Sequence, residues 1–193
     1  MQIEKIYDTI QGEGHWTGAP ITLVRTYGCP VGCWFCDTGY AKSSRLPTPP
    51  VEMRPDEINP SRMHVLLTGG EPLIQPDLSD LCHQLILAGH FVQIETAGIR
   101  YDPQIPDDCW ITLSPKKHVA PAMWQRADEV KFVLSPDTDL TTCEKPLSRI
   151  HTKNIYWQPE FEALPDSLNT CIEATALYGG RISIQTHKFL GIE

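Results

Sequence analysis

The 193-residue sequence lacks the features that would commit a chain to a membrane, an export route or a nucleic acid. No run approaches the length of a membrane span, and the first residues carry neither the basic segment and apolar run nor the small-residue cleavage site of an export signal. Positive charge is scarce: 16 Lys and Arg against 24 Asp and Glu leave a net charge of −8. That argues against long phosphate backbones, whose binding runs on clustered cations, and favours a small polar substrate. A paired disulfide framework is also missing. Seven cysteines, three clustered and Cys82, Cys109, Cys143 and Cys171 scattered, suit a reducing compartment, so a cytoplasmic location is expected. No internal repeat is evident, and the length with 41% hydrophobic content predicts one domain over 1–193.

The clustered cysteines lack a fourth partner. Cys29-Pro-Val-Gly-Cys33-Trp-Phe-Cys36-Asp37-Thr38 places three thiols within eight residues, with no second pair of Cys or His following as a structural zinc site requires. Three thiolates on a four-iron cluster would leave one iron open. Pro30 and Gly32 suit a tight loop whose thiols and N–H groups wrap one centre. Small buried hydrophobes and a zinc site are the competing readings, and the spacing favours the cluster.

Around this loop the chain alternates. Residues 3–9 lead into Gln11-Gly12-Glu13-Gly14, by itself a turn with room for close backbone approach. Residues 21–26 read as a buried strand that delivers the cysteine loop, and Arg25 inside it needs either a structural carboxylate or an anionic ligand. Five prolines between 39 and 60 predict a surface loop. Beyond it, strands are predicted over 64–67, 91–95, 110–113, 129–134, 155–157 and 182–184. Helices are predicted over 77–88, capped by Asp77, and over 122–126, 138–149 and 165–178. Such alternation builds an α/β fold on a parallel sheet.

Polar residues gather where these strands end: Thr68-Gly69-Gly70-Glu71-Pro72, Glu95-Thr96-Ala97-Gly98, Ser114-Pro115-Lys116, Ser135-Pro136, Gln158-Pro159 and His187-Lys188. The C-terminal edge of a parallel sheet is where such folds place their sites. Strand-to-helix turns account for the Gly and Pro, but not for Glu71, Glu95, Lys116 and His187 together.

The three-cysteine loop followed by Gly-Gly-Glu-Pro resembles the radical S-adenosylmethionine superfamily. The wider set, from Gln11-Gly12-Glu13-Gly14 and Arg25 through Cys36-Asp37-Thr38, Glu95-Thr96, Ser114-Pro115-Lys116, Lys131-Phe132-Val133 and Gln158-Pro159 to Gln185-Thr186-His187-Lys188, resembles its 7-deazapurine-forming branch. The resemblance implies a partial, reduced (β/α) barrel of about six parallel strands. It also implies a lyase-type conversion of 6-carboxy-5,6,7,8-tetrahydropterin to 7-carboxy-7-deazaguanine with loss of ammonia, in queuosine biosynthesis.

Residue by residue, it implies that Cys29, Cys33 and Cys36 hold a 4Fe-4S cluster whose open iron takes S-adenosylmethionine, the source of the radical that starts the reaction. Asp37, Thr68, Gly69, Gly70, Glu71, Ser114, Lys116 and Gln158 are then the cofactor-binding set. Gln11, Gly12, Glu13, Arg25, Glu95 and His187 are the substrate set, with Glu13, Arg25 and His187 assigned to catalysis. Glu13 or Glu95 would accept from the pyrimidine edge, Arg25 and His187 would meet the carboxylate, and Thr38 would hold Mg2+ beside it. A flavodoxin or ferredoxin as electron donor and a homodimer are implied too. An activating enzyme for a glycyl-radical protein, and an electron-transfer or structural iron-sulfur or zinc protein, are the alternatives.

Overall fold

The computed structural model describes residues 1–36, 38–39 and 49–192. Asp37, the 40–48 part of the proline-rich loop and Glu193 lie outside the described residues. One nine-stranded sheet organises the rest, built from β1 (Gln2–Ile10), β2 (Pro20–Thr26), β3 (Val51–Glu52), β4 (His64–Gly69), β5 (Phe91–Thr96), β6 (Trp110–Leu113), β7 (Glu129–Leu134), β8 (Ile155–Pro159) and β9 (Arg181–Ile182). Its order is β3-β1-β2-β4-β5-β6-β7-β8-β9. From β2 onward every pairing is parallel, whereas β1 runs antiparallel to both β2 and β3. The six long parallel strands and the two-residue β9 form an open, partial α/β barrel, as expected.

Alternation along the strands sorts the residues into two chemistries. One face carries Val24, Val65, Leu67, Val92, Ile94, Ile111, Leu113, Val130, Phe132 and Trp157, all buried in the main core. Helix α1 (Leu78–Leu87) lays Leu78, Leu81, Cys82 and Leu85 on this face, and α4 (Asp166–Tyr178) lays Cys171 and Ala174 there. Each such leucine contributes about 1.5–3 kcal/mol by leaving water. The inner face is polar in its upper layers: Arg25, Thr68, Gln93, Glu95, Thr112, Glu129, Lys131 and Gln158 occupy the alternate positions, so the apolar covering that stabilises the sheet leaves its concave side for chemistry.

Three local expectations change. Asp77 stands at the N-cap of α1, but its side chain makes no cap bond and instead pairs with the Met1 ammonium at 3.4 Å. The helix predicted over 138–149 divides into a 3-10 turn (Leu140–Cys143) and the single turn α3 (Glu144–Leu147). Pro146 supplies no N–H there, and the hydroxyls of Thr142 and Ser148 bond backbone carbonyls locally, at 2.6 and 2.9 Å. The described end of the proline-rich segment is not structureless, since it holds β3 and a 3-10 turn (Pro55–Glu57). The remaining helices are α2 (Met123–Arg126) and α5 (Thr186–Leu190). Among the described residues no helix is long and apolar enough to cross a membrane.

The β1–β2 connection does not project into solvent. Gly18 N–H donates to Gln11 O (2.7 Å) and Gln11 N–H to Ala19 O (2.8 Å), and the closed loop turns inward under the sheet. Trp16 then lies against Phe91, Trp110 and His64, with ring centroids 5.0, 5.3 and 5.8 Å away, and these aromatics floor the barrel.

Glu129, fully buried beside that floor, accepts from His15 N–H at 3.2 Å with Oε2, while Oε1 has no hydrogen-bond partner among the described residues. Burial pushes its carboxyl up to about 7, against the partial pull of Lys131. A raised carboxyl favours the folded state below its unfolded value and loses that contribution as pH rises to the folded value. Glu129→Gln is therefore expected to match the parent near pH 4.5 and to exceed it by about 3 kcal/mol above pH 7, read from urea unfolding at several pH values.

Candidate active site

A cavity of about 270 Å³ opens at the C-terminal edge of the parallel strands. Cys29, Cys33, Cys36 and Thr38 line it from the loop after β2, and Thr68, Gly69 and Gly70 from the end of β4. Glu95, Ser114, Lys116, Gln158 and His187 line it from the following strand ends, with Gln11, Gly12, Glu13 and Arg25 from the first two strands and their connection. Thus every described residue of the two sequence-derived sets except Glu71 borders one space. Ser135 and Pro136 do not; they turn to a separate shallow hollow, and Ser135 Oγ donates to Glu160 at 2.8 Å.

The cysteine wall has the donor chemistry of an iron-sulfur site, three thiols with backbone N–H groups and lysines that favour the thiolate. Burial raises the Cys29 and Cys33 thiols, and each also feels its neighbouring thiols. Opposing this, Cys29 accepts from the N–H groups of Val31 and Gly32, and Lys116 and Lys117 favour the Cys33 thiolate. Among the described residues no three Cys, His, Asp or Glu side chains converge closely enough to hold one ion.

Opposite stands the glycine turn. A Cβ at Gly69 or Gly70 would strike the backbone of Thr26 or Gly28, so only glycine lets this turn lie against the root of the cysteine loop. Gly70 N–H donates to Thr26 O (3.1 Å) and Glu71 N–H to Gly28 O (2.9 Å), which locks the two loops together. Glu71 is buried and points away from the cavity. It accepts from Thr96 Oγ1 (2.5 Å), Ala97 N–H (2.8 Å) and Leu73 N–H (3.1 Å), bracing the β4 loop against the β5 loop. Burial raises its carboxyl, partly offset by these donors. Further round, Lys116 donates to Ser114 Oγ (2.7 Å), and burial lowers its ammonium to about 8.

The far end of the cavity is a charged network. Lys131, an inner-face residue of β7, forms a buried ion pair with Glu13 and lies 3.7 Å from Glu95 Oε1. Gln158 and Gln185 add donors to Glu13 at 3.0 and 2.7 Å. Burial would raise the Glu13 carboxyl, but Lys131 and these amides hold it at about 2. Glu95 moves the other way, raised by burial and by the Glu13 charge despite Lys131. Gln11 is spent in the same network: it donates to Gln93 Oε1 and Glu95 Oε1, both at 3.1 Å, and accepts from Glu13 N–H at 3.1 Å.

The two ends of the chain meet here. Thr186 N–H donates to Gly12 O (2.9 Å), and a Cβ at Gly12 would overlap the His187 ring. Arg25 donates to Thr38 Oγ1 (3.0 Å) and Tyr7 OH (3.3 Å) at the opposite wall. Glu95 thus faces the cavity at this end, with His187 beside it, while Arg25 presents its guanidinium from the opposite wall, and an acceptor facing a donor suits a ring with donor groups on one edge and an acid on the other.

Three residues of the site had no individual role in the sequence reading: Lys131, quoted there only within Lys131-Phe132-Val133, Tyr7, and Phe35, whose ring lies 5.2 Å from the Lys116 ammonium. Lys131 was legible, because strict alternation in Glu129-Val-Lys131-Phe-Val133-Leu134 puts it inward with Glu129 and Val133, away from the core. Tyr7 and Phe35 carry no comparable signal, since an aromatic in a half-buried strand or loop is ordinary packing.

Known proteins are similar to this chain in sequence and in fold. Residues 23–110 match the Radical SAM superfamily. The chain is 32% identical to 7-carboxy-7-deazaguanine synthase of Buchnera aphidicola subsp. Schizaphis graminum, over 98% of each chain. It is 34% identical to the same-named enzyme of Synechocystis sp., over 98% of this chain and 92% of that one. Its fold superposes on the crystal structure of QueE from Escherichia coli with a TM-score of 0.81 and 28% identity, covering 96% of this chain and 94% of that one. On these matches, nearly end to end with the named relatives, the chain belongs to the 7-carboxy-7-deazaguanine synthase family of the radical SAM superfamily.

Proposed function

We propose that this enzyme converts 6-carboxy-5,6,7,8-tetrahydropterin to 7-carboxy-7-deazaguanine with loss of ammonia, using a 4Fe-4S cluster and S-adenosylmethionine. The observation that carries the reading is that a three-thiol wall and a carboxylate-and-arginine pocket open into one cavity. When bound, the cluster and S-adenosylmethionine supply one-electron cleavage of a sulfonium bond and a radical that removes hydrogen from the substrate.

The chain's own residues bind and orient. Cys29, Cys33 and Cys36 hold the cluster. Gly70 N–H is engaged by Thr26, so an amine meets the carbonyl side of the glycine turn, which is the side with acceptors. Ser114 and Lys116 present a hydroxyl and an ammonium to a carboxylate or ribose, with Thr68 beside them and Glu71 bracing the turn from behind. Gln158, whose amide bonds Glu13 and Ser183, orients the floor.

Glu95, 19% exposed at its side chain, accepts from the pyrimidine edge of the substrate. Arg25 donates to its carboxylate from the opposite wall, and His187, seated beside Gly12, donates to it from the Glu95 side. Thr38 Oγ1, which already accepts from Arg25, has a second lone pair for Mg2+, and the substrate carboxylate and water would complete that ion's shell. A flavodoxin or ferredoxin delivers the electron at the cysteine loop, where Trp34 is 62% exposed. Exposed Ile182, Ile184, Phe189, Leu190 and Ile192 along β9 and α5 offer a surface for a second copy in a homodimer.

Anaerobic incubation with reductant, S-adenosylmethionine and carboxytetrahydropterin, followed by mass spectrometry, should yield the deazaguanine acid, and Cys33→Ala should abolish it. Deoxyadenosine without that acid would sink the reading in favour of a protein substrate. Thr38→Ala should raise the Mg2+ needed for half-maximal turnover by about 10-fold or more. An unchanged Mg2+ titration would remove Thr38 from the ion's shell.

A further inference from the structure

Lys131 is buried on the inner face of β7, its side chain 3% exposed. Glu13 Oε2 takes Lys131 and Gln158, and Oε1 takes Gln185, so this carboxylate is satisfied from within the protein. Glu95 differs. Both side chains border the cavity, but only Oε1 of Glu95 is engaged, accepting from Gln11 with Lys131 3.7 Å away, and its Oε2 has no hydrogen bond among the described residues. Gln11 cannot turn round, because its carbonyl oxygen accepts from Glu13 N–H and its second amide hydrogen goes to Gln93.

We propose that Lys131 is a positioning residue for substrate recognition: it anchors Glu13 as an ionised internal support and thereby leaves Glu95 as the carboxylate that accepts from the substrate's donor edge. This rests on the reading of the cavity as a pterin site. The charged and titratable groups around the pair are Glu95 on β5, Glu129 on β7, Lys116 after β6 and His187 on α5. Without Lys131, Glu13, Glu95 and Glu129 lose the buried cation that acts on all three, and Glu13 and Glu95 compete for a proton and for Gln11. The acceptor pattern facing the substrate is then scrambled although Lys131 never touches it.

The test uses the cluster-loaded enzyme with Lys131→Met, Lys131→Arg, Glu13→Gln and the double variant Glu13→Gln/Lys131→Met. Lys131→Met is expected to raise KM for carboxytetrahydropterin at least about 30-fold while kcat changes less than about 5-fold, and Lys131→Arg should recover most of the loss. The double variant removes the Glu13 charge together with its partner, so Glu95 no longer competes with a second carboxylate for a proton, and the carbonyl oxygen of the new amide can still accept from Gln185. It should return KM to within about 5-fold of the parent. Independently of turnover, carbon-13 NMR of labelled glutamate should find Glu13 ionised at neutral pH in the parent and carrying a proton in Lys131→Met.

A Lys131→Met enzyme with KM within about threefold of the parent, or a double variant no better than the single one, overturns the inference. If Lys131→Met does not fold, the double variant decides, and a KM raised about 30-fold or more there overturns it. Failure of the parent itself to turn over the pterin would instead refute the functional reading, and the Glu13 resonance would still judge the role of Lys131.

Discussion

An ammonium and a carboxylate buried together, Lys131 and Glu13, tie the first loop of the chain to its middle strand, and through Gln158 and Gln185 to its last third. Such a pair adds little net stability, because desolvating both charges offsets most of their attraction. Its value lies in what it excludes. Removing either partner strands a charge in the interior, so the Gln11–Gly14 turn has one low-energy seat, inside the sheet and against Gly12's neighbour His187. The cavity's end wall, the closure by α5 and the aromatic floor around Trp16 all depend on that seat.

A parallel sheet covered by helices on one face only would ordinarily expose the other. Here the exposed face is turned inward, and it is hydrogen-bonded side chain to side chain, from His64 at the floor through Gln93 to Thr112 and Gln11. Because every polar group in this ladder has few alternatives, the acceptors and donors that reach the cavity are oriented before any ligand arrives. The glycine turn follows the same logic at the backbone level, packed too tightly on Thr26 and Gly28 for any side chain.

Much of the fold was legible. Strands 110–113 and 129–134 fall where alternation puts them, and the first long helix lies within one residue of its expected ends, because burying an apolar stripe has few solutions at those lengths. The 138–149 stretch was not legible as two turns, since the competition of Thr142 and Ser148 for backbone carbonyls is invisible to periodicity. The antiparallel β1 and β3 were equally hidden, being decided by pairing across the sequence rather than by local preference.

Within the site, the cysteine spacing, the glycine turn and the polar strand ends were determined by sequence alone, because each is a local pattern whose chemistry needs neighbours only a few residues away. Which carboxylate does what was not. Glu13, Glu71, Glu95 and Glu129 are the same residue type in similar strand-end or strand-start positions, yet one supports, one braces, one faces the cavity and one is held near neutrality. Only the tertiary structure separates them, because a carboxylate's role is set by which donors and cations the fold brings to it, and Lys131, Gln158, Gln185 and Thr96 arrive from distant parts of the chain.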